Sequence, residues 1–220
     1  MTRLRVLIAC EESGVMRRAF AALGHDAWSC DLQPARDGSA NHIHDDVFEA
    51  AAWMDWDIGI FHPPCDYLTN SAEWAYGPGP YHQKVKPETL VGQARLDARE
   101  AAIEFVRRIM ALPFPKAVEN PIGVLSTRIR KPEQIIQPHQ FGDDASKATC
   151  LWLDRLPRLV PTKLIAPRMV NGKPRWGNQT DSGQNRLSPG PNRARDRSET
   201  YPGIAAACAA QWGATERNDQ

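Results

Sequence analysis

The 220 residues contain no Cys-x-x-Cys pair and no His-x-x-x-His pair. The five cysteines are odd in number and irregularly spaced, which argues against a zinc module and against a disulfide framework. No apolar run approaches the length of a membrane span. The opening "MTRLRVLIACEESG" has too short an apolar stretch for a signal peptide. The expectation is a cytoplasmic, reducing location with no membrane partner, where Cys65 stays a free thiol. Charge of one sign is lacking too: 27 Lys and Arg face 26 Asp and Glu, a formal net charge of +1. The balance announces no polyanionic partner, but the distribution is uneven. Between Pro161 and Thr200, Lys163, Arg168, Lys173, Arg175, Arg186, Arg193, Arg195 and Arg197 face only Asp181, Asp196 and Glu199. That stretch, rich in Gly, Pro and Asn, reads equally as a solvated loop or as a phosphate-contacting surface.

Strands and helices alternate along the chain. "LRVLIAC" (4–10), "DAWSCDL" ending at Asp31, "WDIGIF" (56–61), "KAVEN" (116–120) and "ATCLWL" (148–153) read as short apolar strands. "HIHDDVF" reads as a strand edge or turn. Val15, Met16, Ala19, Phe20 and Leu23 recur at helical spacing, with Gly24 as a C-terminal cap. Residues 90–112 form the clearest helix, with Leu90, Ala94, Ala98, Ala101, Phe105 and Ile109 as its apolar side. "GIAAACAAQW" (203–212) reads as a closing helix. The pattern predicts a doubly wound, mostly parallel α/β sheet. Residues 1–160 form the core in this reading, 161–200 a basic appendage and 201–220 a helix returning to the core plus a tail. No feature fixes an oligomeric state.

Ligands of such sheets gather at the carboxyl ends of the strands. Four unusual groups fall there: Glu11 to Gly14, Asp31, Cys65 and Glu119. The "CEESG" turn is not the Gly-x-Gly-x-x-Gly fingerprint, and its acids would repel a pyrophosphate. Glu11, Ser13 and Gly14 instead suit a ligand bearing an ammonium or sulfonium group. Asp31 would accept hydrogen bonds from ribose hydroxyls, and Asp46 would meet an adenine amino group. Each acid alone reads as readily as a surface charge. Together they fit an adenosine-containing cationic cofactor, which S-adenosylmethionine satisfies and NAD does not.

The stretch "FHPPCDYLT" is the most unusual. Two prolines end the strand, since neither can continue a helix or donate to a sheet ladder, and the sulfur of Cys65 is left at a strand exit. A free cysteine is usually a small buried hydrophobe. A partly exposed one with electropositive neighbours can be a thiolate nucleophile.

"FHPPCDYLT" and "AVENPIGVL" resemble the Pro-Cys and Glu-Asn-Val motifs of the cytosine carbon-5 DNA methyltransferases. "DDVF" is similar to that family's next acidic motif, and the first strand-helix unit with Asp31 to its cofactor motifs. This resemblance covers roughly residues 4–125. "FGDDASKATCLWL" and "ETYPGIAAACAAQW" look like segments of small phage and prophage DNA methylases. The resemblance implies a methyltransferase-type Rossmann-like fold and methyl transfer from S-adenosylmethionine to carbon 5 of cytosine in DNA. Cys65 would be the nucleophile, Glu119 the cytosine-binding acid and Pro63 part of the cofactor wall. Pro64, Asp66, Asn120 and Lys147 would face the base, and Arg175 and Arg186 the phosphates. In duplex DNA the base must leave the stack, with the 66–89 loop closing over it and Tyr67, Trp74 and Tyr76 as stacking faces.

Several family features are missing. The Phe-x-Gly-x-Gly turn keeps one glycine here. Asp66 stands where glutamine usually follows the cysteine. The Arg-x-Arg motif is absent, with Lys147 its nearest substitute. Only residues 154–200 are available for target recognition. Loose specificity, a single-stranded substrate or a helping partner is therefore expected. The same chemistry on a free cytidine nucleotide or RNA is the alternative, as is a non-catalytic DNA-binding relative.

Overall fold

A computed structural model of the chain describes residues 2–81, 85–188, 190 and 193–214. Seven strands form one sheet: β1 (Arg5–Ala9), β2 (Asp26–Asp31), β3 (His42–His44), β4 (Ile58–Phe61), β5 (Lys116–Pro121), β6 (Gln134–Ile136) and β7 (Thr149–Asp154). Their order is β3-β2-β1-β4-β5-β7-β6. β1 pairs in parallel with β2 and β4, β2 with β3 and β4 with β5, whereas β7 runs antiparallel to both β5 and β6. Only β7 opposes the other six. The order reverses direction between β1 and β4, which is the switch point where a crevice opens beyond the carboxyl ends of the strands. The expected doubly wound, mostly parallel architecture is observed.

Strand pleating sorts the core into two faces. Val6, Ile8, Ile58, Ile60, Ala117 and Leu151 point to one. There they bury Met16 and Phe20 of α1 (Val15–Ala22) together with Ile204, Ala205, Cys208 and Trp212 of α6 (Pro202–Trp212). The run of alanines in α6 allows close approach to α1. Leu7, Ala9, Phe61, Val118 and Trp152 point to the other face. They meet Val47 and Ala50 of α2 (Val47–Ala52) and Ile103, Val106 and Ile109 of α3 (Gly92–Met110). Leu125 of the single-turn α4 (Leu125–Arg128) closes that side.

The buried side of α3 differs from the one read in the sequence. Ala94 and Ala101 are exposed, Leu90 is 39 % exposed, and Arg95 and Arg99 are buried instead. Alanine carries little apolar area, so it marks a face poorly, whereas an arginine buries a long stem and stacks on aromatic rings. The Arg99 guanidinium lies 3.5 Å from the centre of the Tyr76 ring, and Arg95 sits over both Tyr76 and Tyr67. Leu23, read as part of the apolar side of α1, is 44 % exposed.

The appendage contains a two-stranded hairpin, β8 (Arg168–Val170) with β9 (Lys173–Arg175), and α5 (Arg193–Ser198). It docks on the loop before β7. Trp176 stacks on His139 with ring centres 4.3 Å apart, Asn178 exchanges two hydrogen bonds with the Ser146 backbone, and Gly177 N–H donates to Asp144. Among the described residues no helix is long and apolar enough to cross a membrane.

Candidate active site

Three strand ends meet at the switch point, and each presents a different chemistry. β4 and β5 pair with Phe61 opposite Val118. One residue further, His62 and Glu119 fall side by side on the face that carries Ile60 and Ala117. His62 Nδ1 lies 3.0 Å from Glu119 Oε2, and the two side chains are 11 % and 18 % exposed. His62 was not singled out in the sequence. The register of two parallel strands was the missing information, and it follows only once β4 and β5 are known to be neighbours.

Pro63 and Pro64 then turn the chain out of the sheet. Pro63 is buried and Pro64 exposed. The Pro63 carbonyl accepts a hydrogen bond of 2.9 Å from Asn120 Nδ2. Asn120 is 1 % exposed: its amide nitrogen holds the turn in place, while its Oδ1 is buried without a partner. Cys65, half-buried, begins a turn closed by Leu68 and Thr69 N–H groups donating to its carbonyl. Leu68 is fully buried, and its own carbonyl accepts from Val124 N–H. Gly123 sits so close that a Cβ there would lie 2.0 Å from the Leu68 oxygen. From α3, Arg99 donates to the carbonyls of Tyr67 and Thr69 and pairs with Glu73. The cysteine turn is therefore fixed from three sides.

Tyr67 and Tyr76, expected as stacking faces for a base, are engaged with the α3 arginines, and the Tyr76 hydroxyl donates to the Tyr67 carbonyl. Trp74 meets Tyr81 edge to face. The polar loop read at 66–89 includes residues 82–84, which lie outside the described residues.

Cys65, Glu119 and Lys147 lie within electrostatic reach of one another. Burial pushes the Cys65 thiol up, the charges of Asp66 and Glu119 push it further, and Lys147 pulls it back. Asp66 itself is exposed. Burial would raise the Glu119 carboxyl, but the His62 hydrogen bond and the charges of His62 and Lys147 outweigh it and hold Glu119 below the usual carboxylate range. Lys147 Nζ is anchored 3.4 Å from the carbonyls of Ser198 and Glu199. Below Glu119 and Lys147 a small cavity of about 20 Å³, room for roughly one water, lies between the sheet and α6, and Cys65 does not line it. Its upper wall is His62, Glu119, Lys147, Thr149 and Tyr201, and its floor is apolar, with Ile60, Leu151, Ile204 and Trp212.

The acid-rich turn after β1 is built differently. Cys10 takes a left-handed φ of 59°, which turns Glu11 back under the start of α1. Glu11 Oε1 accepts from Val15 N–H at 3.0 Å and from the Ser13 hydroxyl. Its Oε2 is buried and has no partner. Gly14 is left-handed as well, and a Cβ there would lie 2.7 Å from Arg17, Arg18 and Asp37. Glu12 receives Arg36 and Arg195, and Arg36 also reaches Glu199. Asp31 ends β2 half-buried. Burial pushes its carboxyl above the usual range against the opposing Gln33 N–H bond, with Glu12 adding to the rise. The next residue, Leu32, is 68 % exposed. Asp46, expected at an adenine, caps α2 by accepting from Phe48 N–H at 2.8 Å.

Arg175 and Arg186 are engaged within the appendage. Arg175 donates to the carbonyls of Asp181 and Pro174, and Arg186 to that of Gln179. The sequence read them as phosphate contacts because it could not show how many carbonyls a tight loop leaves to satisfy.

No protein-family model and no curated protein matches the chain. A functional reading therefore rests on residue chemistry and geometry.

Proposed function

We propose that the protein transfers a methyl group from S-adenosylmethionine to carbon 5 of cytosine in DNA, through a covalent adduct at Cys65. The observation that carries this reading is the convergence, at the ends of β4 and β5, of a turn-borne thiol, an ionised carboxylate and a lysine. A doubly wound sheet with its switch point beside that group supports the methyltransferase type of the fold.

Carbon 5 of cytosine is a weak nucleophile. Addition of the Cys65 sulfur to carbon 6 moves electron density toward carbon 5 and ring nitrogen 3. Glu119 meets the amino group and nitrogen 3 and stabilises the charge that develops there. Lys147 opposes the two acids that hold the thiol protonated, so it favours the thiolate. Asn120 keeps the Pro63 carbonyl, and with it the Cys65 turn, fixed.

The strand ends suit the cofactor in two respects. Glu11 Oε2 is an orphaned buried acceptor, and a buried carboxylate oxygen without a donor is costly, so an ammonium placed there would satisfy it. Asp31, its carboxyl pushed above the usual range by burial, would take the ribose hydroxyls, with the exposed Leu32 as an apolar face beside it. When bound, S-adenosylmethionine supplies the methyl group as a sulfonium cation.

The test is DNA carrying 5-fluorocytosine, incubated with S-adenosylmethionine. The wild type should form an adduct that survives denaturation, and Cys65→Ser should form none. An adduct that persists in the serine variant refutes the nucleophile assignment. A second reading, the same chemistry on a free cytidine nucleotide, is favoured by the engagement of Arg175 and Arg186 within their own loop. Parallel trapping with duplex, single-stranded and mononucleotide substrates separates the two. Absence of cofactor binding by calorimetry would point instead to a non-catalytic relative.

A further inference from the structure

An ionised Glu119 can accept a hydrogen bond from an amino group, but it holds no proton to give to a ring nitrogen. Reading a cytosine edge during attack at carbon 6 requires both. His62 can supply that proton: its Nδ1 lies 3.0 Å from Glu119 Oε2. The other ring nitrogen, Nε2, is buried without a partner. The second cation, Lys147, is anchored on two backbone carbonyls and acts on Glu119 through its charge.

We propose that His62 is the proton store for Glu119, supplying the proton when a pyrimidine enters and recovering it when the product leaves. This rests on the cytosine reading above. The imidazolium gives its Nδ1 proton to Glu119 Oε2, leaving a neutral imidazole with its hydrogen on Nε2. The neutral carboxyl turns its hydroxyl to ring nitrogen 3. As the Cys65 sulfur bonds to carbon 6, the carbon 5–carbon 6 π pair shifts to the carbon 4–carbon 5 bond. The carbon 4–nitrogen 3 π pair then takes up the carboxyl proton. Once carbon 5 has taken the methyl group with the carbon 4–carbon 5 π pair, the nitrogen 3 lone pair re-forms the carbon 4–nitrogen 3 π bond and the nitrogen 3 proton returns through Glu119 to His62. Solvent hydroxide removes the carbon 5 proton, whose bond pair forms the carbon 5–carbon 6 π bond and expels the sulfur. The groups facing this pair are Cys65 on the turn after β4, with the exposed Asp66 beside that thiol, Lys147 before β7, Cys150 on β7, and Tyr201 and Cys208 at α6. The last three are neutral at physiological pH, because burial holds Cys150, Tyr201 and Cys208 above their ordinary values.

Two variants test the store. His62→Asn keeps a neutral donor near the Nδ1 position, and His62→Leu removes the hydrogen bond. The first readout is the single-turnover rate of 5-fluorocytosine trapping with cofactor, measured across pH. In the wild type the rate should vary with pH through the His62–Glu119 pair, with a decline toward alkaline pH. His62→Asn should lose that decline and trap at least about tenfold more slowly near neutrality. The second readout is carbon-13 NMR of the Glu119 carboxyl without DNA or cofactor, which also reports that each variant is folded. Its titration should move upward in His62→Leu, where burial remains and the opposing hydrogen bond is gone. If His62→Asn keeps the wild-type rate and pH profile, His62 is only a structural partner and the proposal fails. If the carboxyl responds to His62 but the wild type traps no cytosine, the cytosine reading has failed and takes the proton-store role with it. If trapping is normal and the carboxyl ignores His62, the store alone is overturned.

Discussion

Two turns leave neighbouring parallel strands at the switch point, and they are held by different forces. The turn after β4 is fixed by packing and backbone hydrogen bonds: Leu68 buried, Gly123 against its carbonyl, Asn120 on Pro63 and Arg99 on two further carbonyls. The turn after β1 is fixed mostly by charge. Glu12 is bound by Arg36 and Arg195, and Asp37 by Arg17 and Arg18. Packing of the first kind is short-ranged and hard to deform. Ionic contacts that keep some exposure to water are weaker and screened by salt. A nucleophile must be held within a fraction of an ångström of its target, whereas a cofactor-binding turn can adjust as its ligand arrives. The division matches the proposed tasks of the two turns.

The comparison breaks most visibly at Gly123. Gly123→Ala places a methyl group into the Leu68 carbonyl, so either the backbone moves or the fold weakens. A loss of about 3 kcal/mol in urea unfolding is expected, the upper end for overpacking a closed contact. Cytosine trapping should disappear while calorimetric cofactor binding persists in the folded fraction. Asn120→Ala comes next. It removes the donor to Pro63, which should cost about 1–2 kcal/mol for a buried carbonyl left without its partner. The trapping rate should fall more than stability does, because the Cys65 turn gains freedom.

The same contrast explains what could be read from the sequence. Pro63 and Pro64 announce a strand end locally, and the unbroken apolar runs of Val6 to Ala9 and Ile58 to Phe61 show buried strands without any knowledge of partners. Cys65 and Glu119 are therefore legible as strand-end residues, along with the order of strands and helices. His62 is not, because its meaning depends on lying beside a strand that begins 54 residues later (62 to 116). Arg95 and Arg99 looked like a solvent face, and only the aromatic rings folded over them make that face interior. Arg175 and Arg186 were legible as charge but not as capping groups for their own loop. Long-range pairing and satisfaction of backbone carbonyls are properties of the fold, and no local pattern carries them.

A smaller effect is expected on the charged side. Arg36→Ala cuts the links to Glu12 and Glu199. The loss should be about 1 kcal/mol or less at low ionic strength and should fade toward zero in molar salt. Trapping by Cys65 should change less than in Asn120→Ala. Equal loss of trapping in the two variants would mean that the turns are mechanically coupled after all.

The two sides of the switch point can finally be told apart by acid, through Asp31 at the end of β2 and Glu119 on β5. Glu119 titrates below its ordinary value in the folded chain. The unfolded chain then binds more protons as pH falls, so this group's contribution is complete above the ordinary carboxylate range and is lost on acidification through the lowered folded value. Asp31 is shifted the other way. As pH rises above its ordinary value the unfolded chain ionises first, so Asp31 weakens folding progressively until its own carboxyl ionises. Urea unfolding measured from acid to neutral pH should therefore show Glu119→Gln with a shallower rise of stability with pH than the wild type. Asp31→Asn should show a steeper rise and greater stability at neutral pH. A cationic cofactor placed near Asp31 and Glu11 would relieve the Asp31 penalty, so its addition should narrow the gap between Asp31→Asn and the wild type. If both substitutions bend the profile in the same direction, the two strand ends share one electrostatic environment and the proposed division of labour between the two sides is wrong.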